Sequence, residues 1–378
     1  MIITCYSYKG GSGRSTAAVN IAGSLFRKGK KVACLDMDFG APGMHEILKT
    51  TGERGEVDVW EPINKAIESK LKQNKGIGIH HFFNKSFRGS DFINEYGINF
   101  KKLVYKGELE RQKFIGMKED FEHVNGAEKL VKKIKEGELI FLTASGKEKS
   151  IDLISGKHYD LESFKDRFCL LMAELVNFFH KKTEDGKKRK PLARDTFDEF
   201  YNDIYIICDS ASGITANSLP VLNTSNMILT FFRWSAQHLK GTEETCRVLK
   251  YYLEERYVFG KVRLYKVGSI KPSIELGRGK LFNDVVFQKA KKNIDSNLDK
   301  LKRDIDFKYL GDIPEDDSMK FFERIVTLSE AYEFYKELVD SYDSIAERVI
   351  MERRKIDDSD IRNRVWRYIY DDPVKSLI

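Results

Sequence analysis

The segment Lys9-Gly10-Gly11-Ser12-Gly13-Arg14-Ser15-Thr16 follows directly on the apolar run Met1-Ile2-Ile3-Thr4-Cys5-Tyr6. An apolar strand that empties into such a glycine-rich loop, with a helix behind it, can turn several backbone N–H groups toward one point. The helix adds its positive N-terminus, so a polyphosphate can be bound without bulky side chains intruding. The chain therefore reads as nucleotide-binding through Gly10, Gly11, Ser12, Gly13, Arg14, Ser15 and Thr16. Two positions give the loop its character: Lys9 precedes the paired glycines, and Arg14 stands where the ordinary phosphate loop carries lysine.

The surrounding pattern predicts an α/β fold, a doubly wound, mostly parallel sheet flanked by helices. Residues 1–6 read as a buried strand, Thr16 to Arg27 as a helix and residues 31–35 as a second strand, which together form one βαβ unit. Further strand signals stand at 139–143, 204–209, 227–231, 262–267 and 309–310. Helical patterns at 164–179 and 239–256 suit right-handed crossovers. The second strand ends in Asp36-Met37-Asp38 and a later one in Asp209, and carboxylates at the carboxyl ends of parallel strands lie where such a sheet places ligand chemistry.

Residues 1–54 and 139–346 are read as the core, and 55–138 as an insertion forming a mainly helical subdomain, because a structureless connection of that length is improbable inside a compact domain. Residues 181–194 form a basic loop around Lys187-Lys188-Arg189-Lys190, and 347–378 a charged C-terminal tail. The 378 residues, 41% apolar, suffice for a sizeable core, and a 33% charged fraction with a net charge of +7 describes a well-solvated, mildly basic surface. That balance is compatible with nucleic acid or acidic lipid and demands neither. Five scattered cysteines without C-x-x-C spacing read as buried, reduced thiols. No leader pattern or membrane-spanning run stands out, so the expected location is cytoplasmic.

The loop and the carboxylates arrive in the order that a Mg2+-dependent phosphoryl-transfer site requires. Ser15 can give a hydroxyl to Mg2+ and Thr16 can contact a phosphate oxygen. Asp38 can orient a water for in-line attack, and Asp36 and Asp209 can hold the waters around the metal. Taken singly, each carboxylate also fits a cap or a turn.

These residues resemble the deviant Walker A ATPases, the family of ParA partition proteins and MinD. Lys9 to Ser15 is similar to K-G-G-x-G-K-[ST], Asp209-Ser210-Ala211-Ser212-Gly213 to the D-S-P-A-G switch, and Leu310-Gly311-Asp312-Ile313-Pro314-Glu315-Asp316 to the L-G-x-I-P-x-D segment near the adenine site. The likeness covers about 200 residues in pieces, outside the insertion and the basic loop. It implies ATP and Mg2+ as ligands, slow, partner-stimulated hydrolysis, and a homodimer formed around ATP. Lys9 then reaches the partner's nucleotide, Gly213 offers its N–H to the terminal phosphate, and Pro314 lies by the base. Arg14 departs from the family pattern and bears on catalysis, since arginine keeps the charge but is longer and planar. The run from Asp38 through Pro42 to His45 is also similar to bacterial tyrosine kinases, which lack the leading Lys-Gly-Gly and to whose tyrosine cluster Tyr368 and Tyr370 are a poor match.

The leading expectation is an ATP-dependent dimerisation switch that acts through a protein partner bound by the 55–138 insertion. In a DNA-partition version Lys271, Arg278, Lys280 and the 187–190 run hold DNA without base specificity. The alternatives are a nucleotide-binding regulatory subunit of a bacterial defence or signalling complex, toward which Arg14 tilts, and a membrane-associated positioning ATPase. The last needs an interfacial helix at 361–369, where Val365, Trp366 and Ile369 stand near arginines and the following Asp371, Asp372 and Pro373 oppose it.

Overall fold

The apolar runs become strands because alternate side chains serve two different cores. The computed structural model describes residues 1–50, 60–74, 77–83, 92–103, 137–144, 161–180, 193–215, 217–233, 235–255, 263–271, 308–316, 325–328 and 335–370, with residues 292, 296 and 319. In chain order it begins with β1 (Ile2–Ser7), α1 (Arg14–Arg27), β2 (Lys31–Met37), α2 (Met44–Thr50), α3 (Trp60–Gln73), α4 (Ile79–Phe83), α5 (Phe92–Tyr96), β3 (Ile98–Asn99) and β4 (Glu138–Leu142). It continues with α6 (Leu161–His180), α7 (Arg194–Asn202), β5 (Ile204–Ser210), α8 (Ser218–Asn223), β6 (Met227–Arg233), α9 (Ala236–Glu255), β7 (Arg263–Lys271) and β8 (Lys308–Pro314). A 3-10 turn at Val326–Leu328 precedes α10 (Lys336–Arg353) and α11 (Ser359–Tyr370).

The strands form one sheet in the order β3-β4-β2-β5-β1-β6-β7-β8. Among the described residues only the two-residue edge strand β3 runs antiparallel, to β4. The chain goes from β1 to β2 by way of α1, leaves between them the place that β5 later takes, and then grows in the other direction through β6, β7 and β8. This is a topological switch point, where an open parallel sheet forms its ligand crevice. β5 thereby sets Asp209 in register with Asp36 of β2 and Cys5 of β1, at the foot of the glycine loop.

On one face Ile3, Cys5, Val32, Cys34, Tyr205, Ile207, Met227 and Leu229 pack with α1 and α10. On the other Ile2, Ala33, Leu35, Ile204, Ile206 and Cys208 pack with the aromatic side chains of α4 to α7 and with Ile361 and Val365 of α11. This period of two on both faces is what a strand buried on both sides requires. All five cysteines are buried free thiols.

The described part of the 55–138 insertion is helical in α3, α4 and α5. It also supplies β3, and Phe100 beyond that strand meets Phe26 and Phe141 edge-on, at 6.2 and 6.3 Å between ring centroids. It thus extends the main sheet and core. The stretch read as a charged tail from residue 347 carries helix at both ends, up to Tyr370: α10 runs on to Arg353, and after a short non-helical link α11 buries Ile361 and Val365 against α6. Trp366 packs against Phe197 at 5.0 Å and against Tyr370 at 4.1 Å, and Arg194 lies over its ring. The apolar side chains proposed for a membrane face are therefore engaged inside the molecule, because their spacing matches the apolar face of α6. Among the described residues no helix is long and apolar enough to cross a membrane. Lys187 to Lys190, Arg278 and Lys280 lie outside the described residues, and Lys271 closes β7.

Candidate functional site: a phosphate loop beside a carboxylate cluster

Gly11 and Gly13 have φ of 72° and 68°, left-handed values that cost an L side chain strain, so glycine is required at both. Gly13 caps α1, whose first turn carries neither a side-chain cap nor an acidic residue, and its leading N–H groups are left to face an anion. The Ser12 hydroxyl is buried without a hydrogen-bond partner, the signature of a polar atom waiting for an oxygen ligand. A pocket of about 280 Å³ opens against the loop. Gly11, Gly13 and Thr16 form one wall, Pro314, Glu315 and Asp316 at the end of β8 another, with Leu338 and Tyr342 of α10, Met319 and Arg233 completing the lining. Pro314 and the phosphate loop are thus brought together across some 300 residues. Arg233, at the end of β6, escaped the sequence reading because no motif marks it; only its place at the mouth of the switch point does.

The side chain of Arg14 turns to the carboxylates. Its Nε donates to Asp209 Oδ1 at 2.6 Å, its Nη2 to Asp38 Oδ2 at 3.0 Å and its Nη1 to Ser7 Oγ at 3.3 Å. All of these partners belong to the chain itself. The reason is electrostatic: Asp209 is buried at the end of a central strand, and a charged carboxylate there needs a counter-ion. Burial opposes the guanidinium charge, but Asp209 and Asp38 outweigh it and hold its pKa above the ordinary value. Burial also raises Asp209, against the pull of Arg14 and the Ser15 hydroxyl.

Asp36 serves chiefly as a brace. Its Oδ1 accepts from the Asp38 N–H at 3.3 Å and its Oδ2 from the Met44 N–H at 3.2 Å, pinning the turn between β2 and α2. Burial first, then the charge of Asp209, push its pKa well above the usual carboxylate range. Each oxygen accepts one N–H and keeps a lone pair, so these bonds leave room for the metal-bound water expected of Asp36. Asp38 Oδ1 accepts from the Ala41 N–H at 3.1 Å, which fixes the rotamer that presents Oδ2 to Arg14.

Mg2+ fits what remains. Asp209 Oδ2 is buried without a hydrogen bond, with the Ser15 hydroxyl nearby, and oxygen donors of this kind suit a hard cation. Among the described residues no three His, Cys, Asp or Glu side chains could enclose an ion. A metal here would complete its shell with water and phosphate oxygens, as Mg2+ commonly does.

Ser7 is a second residue the sequence reading missed. Its hydroxyl donates to Lys9 O at 2.9 Å, and its carbonyl accepts the Gly213 N–H at 2.9 Å. The Gly213 N–H expected to meet a phosphate is therefore committed to the strand that carries the loop, in the left-handed conformation (φ 74°) that glycine permits. Lys9 is exposed at the outer edge of the loop, beside the exposed Tyr8 and close enough in space to His238 to lower its pKa, an effect led by burial and Arg233. The Tyr8 ring lies so near Gly241 of α9 that a β-carbon there would stand 2.3 Å from it.

Residues 1–75 match the ParA family model, described as NUBPL iron-transfer P-loop NTPase. Over almost its whole length the chain superposes on the ATP complex of an alanine variant of McdA from Cyanothece, covering 92% of this chain and 95% of that one at 12% identity and a TM-score of 0.51. The fold is that of a P-loop NTPase. Further likenesses to this fold include the MinD cell division protein of Aquifex aeolicus (14% identity, 93% and 97% covered, TM-score 0.48) and a plasmid partition protein from Borrelia burgdorferi (14%, 93% and 98%, 0.47). No curated protein matches the chain. In this fold the glycine loop and the β8 segment line one pocket, and the ends of β2 and β5 are tied to the start of α1 through Arg14.

Proposed function

We propose that the chain is an ATPase of the ParA/MinD kind that works as an ATP-dependent dimerisation switch. One observation supports this reading: a pocket in which Gly11, Gly13 and Thr16 of the glycine loop face Pro314, Leu338 and Tyr342, with Arg233, Glu315 and Asp316 also in its wall, offers backbone donors at one side and apolar surface at the other, as a nucleotide requires. The McdA complex, which contains ATP, supports the same ligand class.

On this reading the loop N–H groups and the N-terminus of α1 bind the phosphates, and the apolar wall takes the base. Lys9, exposed at the rim, reaches the nucleotide of a second copy and stabilises charge that develops there. Asp38 aligns the attacking water, and ATP and water become ADP and phosphate. Mg2+, held by Ser15 and through water by Asp209, would screen the phosphate charge. The Ser7–Gly213 bond joins the loop to the switch segment, a route by which the state of the phosphates alters the dimer surface. The 55–138 insertion, specific to neither loop nor carboxylates, is the surface for a protein partner, and DNA held by surface lysines is the partition version of the same switch.

Light scattering of the wild type and Asp38→Ala with ATP and Mg2+ tests the switch. The variant is expected to accumulate as an ATP dimer, and a monomer in every nucleotide state overturns the proposal. A second reading, a regulatory subunit with slow or no hydrolysis, is favoured by the bond from Arg14 to Asp38, which occupies an oxygen that water alignment requires. Arg14→Lys separates the two: turnover that rises marks Arg14 as a brake on hydrolysis, and unchanged turnover marks it as tolerated by the switch.

A further inference from the structure

All three guanidinium nitrogens of Arg14 are bonded to this chain's own groups: Asp209, Asp38 and Ser7. The side chain is nearly buried, and the two carboxylates it joins are 1% and 14% exposed. It does not line the pocket that Gly11, Gly13 and Thr16 share with Pro314. The cluster has a second oxygen that Arg14 does not reach, Asp209 Oδ2, buried, with the Ser15 hydroxyl as the neighbour of that carboxylate.

From this geometry we infer that Arg14 is a built-in cation that competes with divalent metal for the Asp209–Asp38 pair, so that metal enters the site only together with phosphate. The inference rests on the nucleotide-site reading for the phosphate part alone. A guanidinium on Oδ1 of Asp209 and a hydrated divalent ion on Oδ2 would stand on opposite oxygens of one buried carboxylate. Like charges that close repel strongly where water does not screen them. Asp36 is turned to the backbone, where its two oxygens accept the Asp38 and Met44 N–H groups, and it makes no bond to Arg14. A polyphosphate supplies the missing negative charge. It would draw the guanidinium from Asp38 and free Asp38 Oδ2, and Ser15, with Asp209 through water, would then hold the metal. A lysine in this position has one nitrogen and cannot bridge two carboxylates and a hydroxyl in the same fork geometry. The departure from the usual loop lysine thus has a defined consequence: ordered, coupled loading of metal and nucleotide.

Mn2+ is the probe, read by water-proton relaxation enhancement on wild type, Arg14→Lys and Arg14→Gln, without nucleotide. Wild type is expected to bind Mn2+ weakly, Arg14→Gln about tenfold more tightly or better, and Arg14→Lys in between. Equal Mn2+ affinity in wild type and both variants overturns the inference. Arg14→Gln leaves buried carboxylates without a counter-ion, so its thermal unfolding is followed as well. Mn2+ alone should raise its midpoint while leaving that of the wild type unmoved, and a wild-type shift as large as the variant's overturns the inference. If Arg14→Gln does not fold, Arg14→Lys carries both readouts. A parallel titration with a fluorescent ATP analogue tests the nucleotide reading separately: wild type that fails to bind it removes that reading, while the metal-only arm still decides the competition.

Discussion

Arg14 Nε and Asp209 Oδ1 lie 2.6 Å apart, joining the first residue of α1 to the end of β5 across a sequence separation of 195. The pair is buried, so each partner depends on the other for its charge. Asp209→Asn should cost about 3 kcal/mol in urea denaturation, because the buried guanidinium is left with Asp38 as its one carboxylate. Adding Arg14→Gln should recover part of that loss in a double-mutant cycle. Additive losses would mean that the two residues are not energetically coupled.

Gly13 adopts a φ of 68° where the loop turns into α1. Gly13→Ala should lower stability by about 1–2 kcal/mol, the cost of a left-handed L residue, and should weaken nucleotide binding by tilting the leading N–H groups. A protein of unchanged stability and affinity would show that the turn relaxes to negative φ.

Gly241 gives room to the ring of Tyr8, next to Lys9. Gly241→Ala gains up to about 1 kcal/mol of helix propensity in α9, and the exposed Tyr8 ring can swing away, so the melting temperature should change little. Lys9 should move with its neighbour, and ATP-dependent dimerisation measured by light scattering should fall. Retained dimerisation would separate Tyr8 from the placement of Lys9.

His80, on α4 in the insertion, packs edge-on against Phe39, the residue after Asp38, at 6.1 Å between ring centroids. Burial, then the neighbouring His81, holds its pKa down at about 3. Between that value and the ordinary histidine value of about 6.5, the unfolded chain binds a proton that the folded chain refuses. Stability contributed by neutral His80 is therefore complete above about pH 6.5 and declines as pH falls toward 3. Thermal unfolding of His80→Leu should show a shallower decline than wild type between pH 6.5 and 4.5, above the range where Glu352, held at about 2, begins to matter. Parallel curves would refute it.

Much of the fold is legible in local sequence. The apolar runs at 1–6, 31–35, 139–143, 204–209 and 227–231 predict strands because burial on both faces removes polar alternation, and each is a strand in the structure. β3 is only two residues long and has no such run, so its pairing with β4 could not be read locally. The docking of α11 was equally hidden. A short amphipathic helix rich in arginine has the same pattern whether its apolar side meets lipid or α6, and only the neighbouring face of α6 distinguishes them.

By itself the sequence determined that a glycine loop follows a strand and opens a helix, that carboxylates end two parallel strands, and that an L-G-x-I-P segment lies near the end of the sheet. These are local properties of backbone freedom and hydrophobic period. The tertiary structure alone decided that β5 lies between β1 and β2, and with that placement it set the direction of Arg14. A side chain's partner is chosen by the charges that folding buries beside it, and here those charges come from Asp38 and Asp209, 24 and 195 residues away.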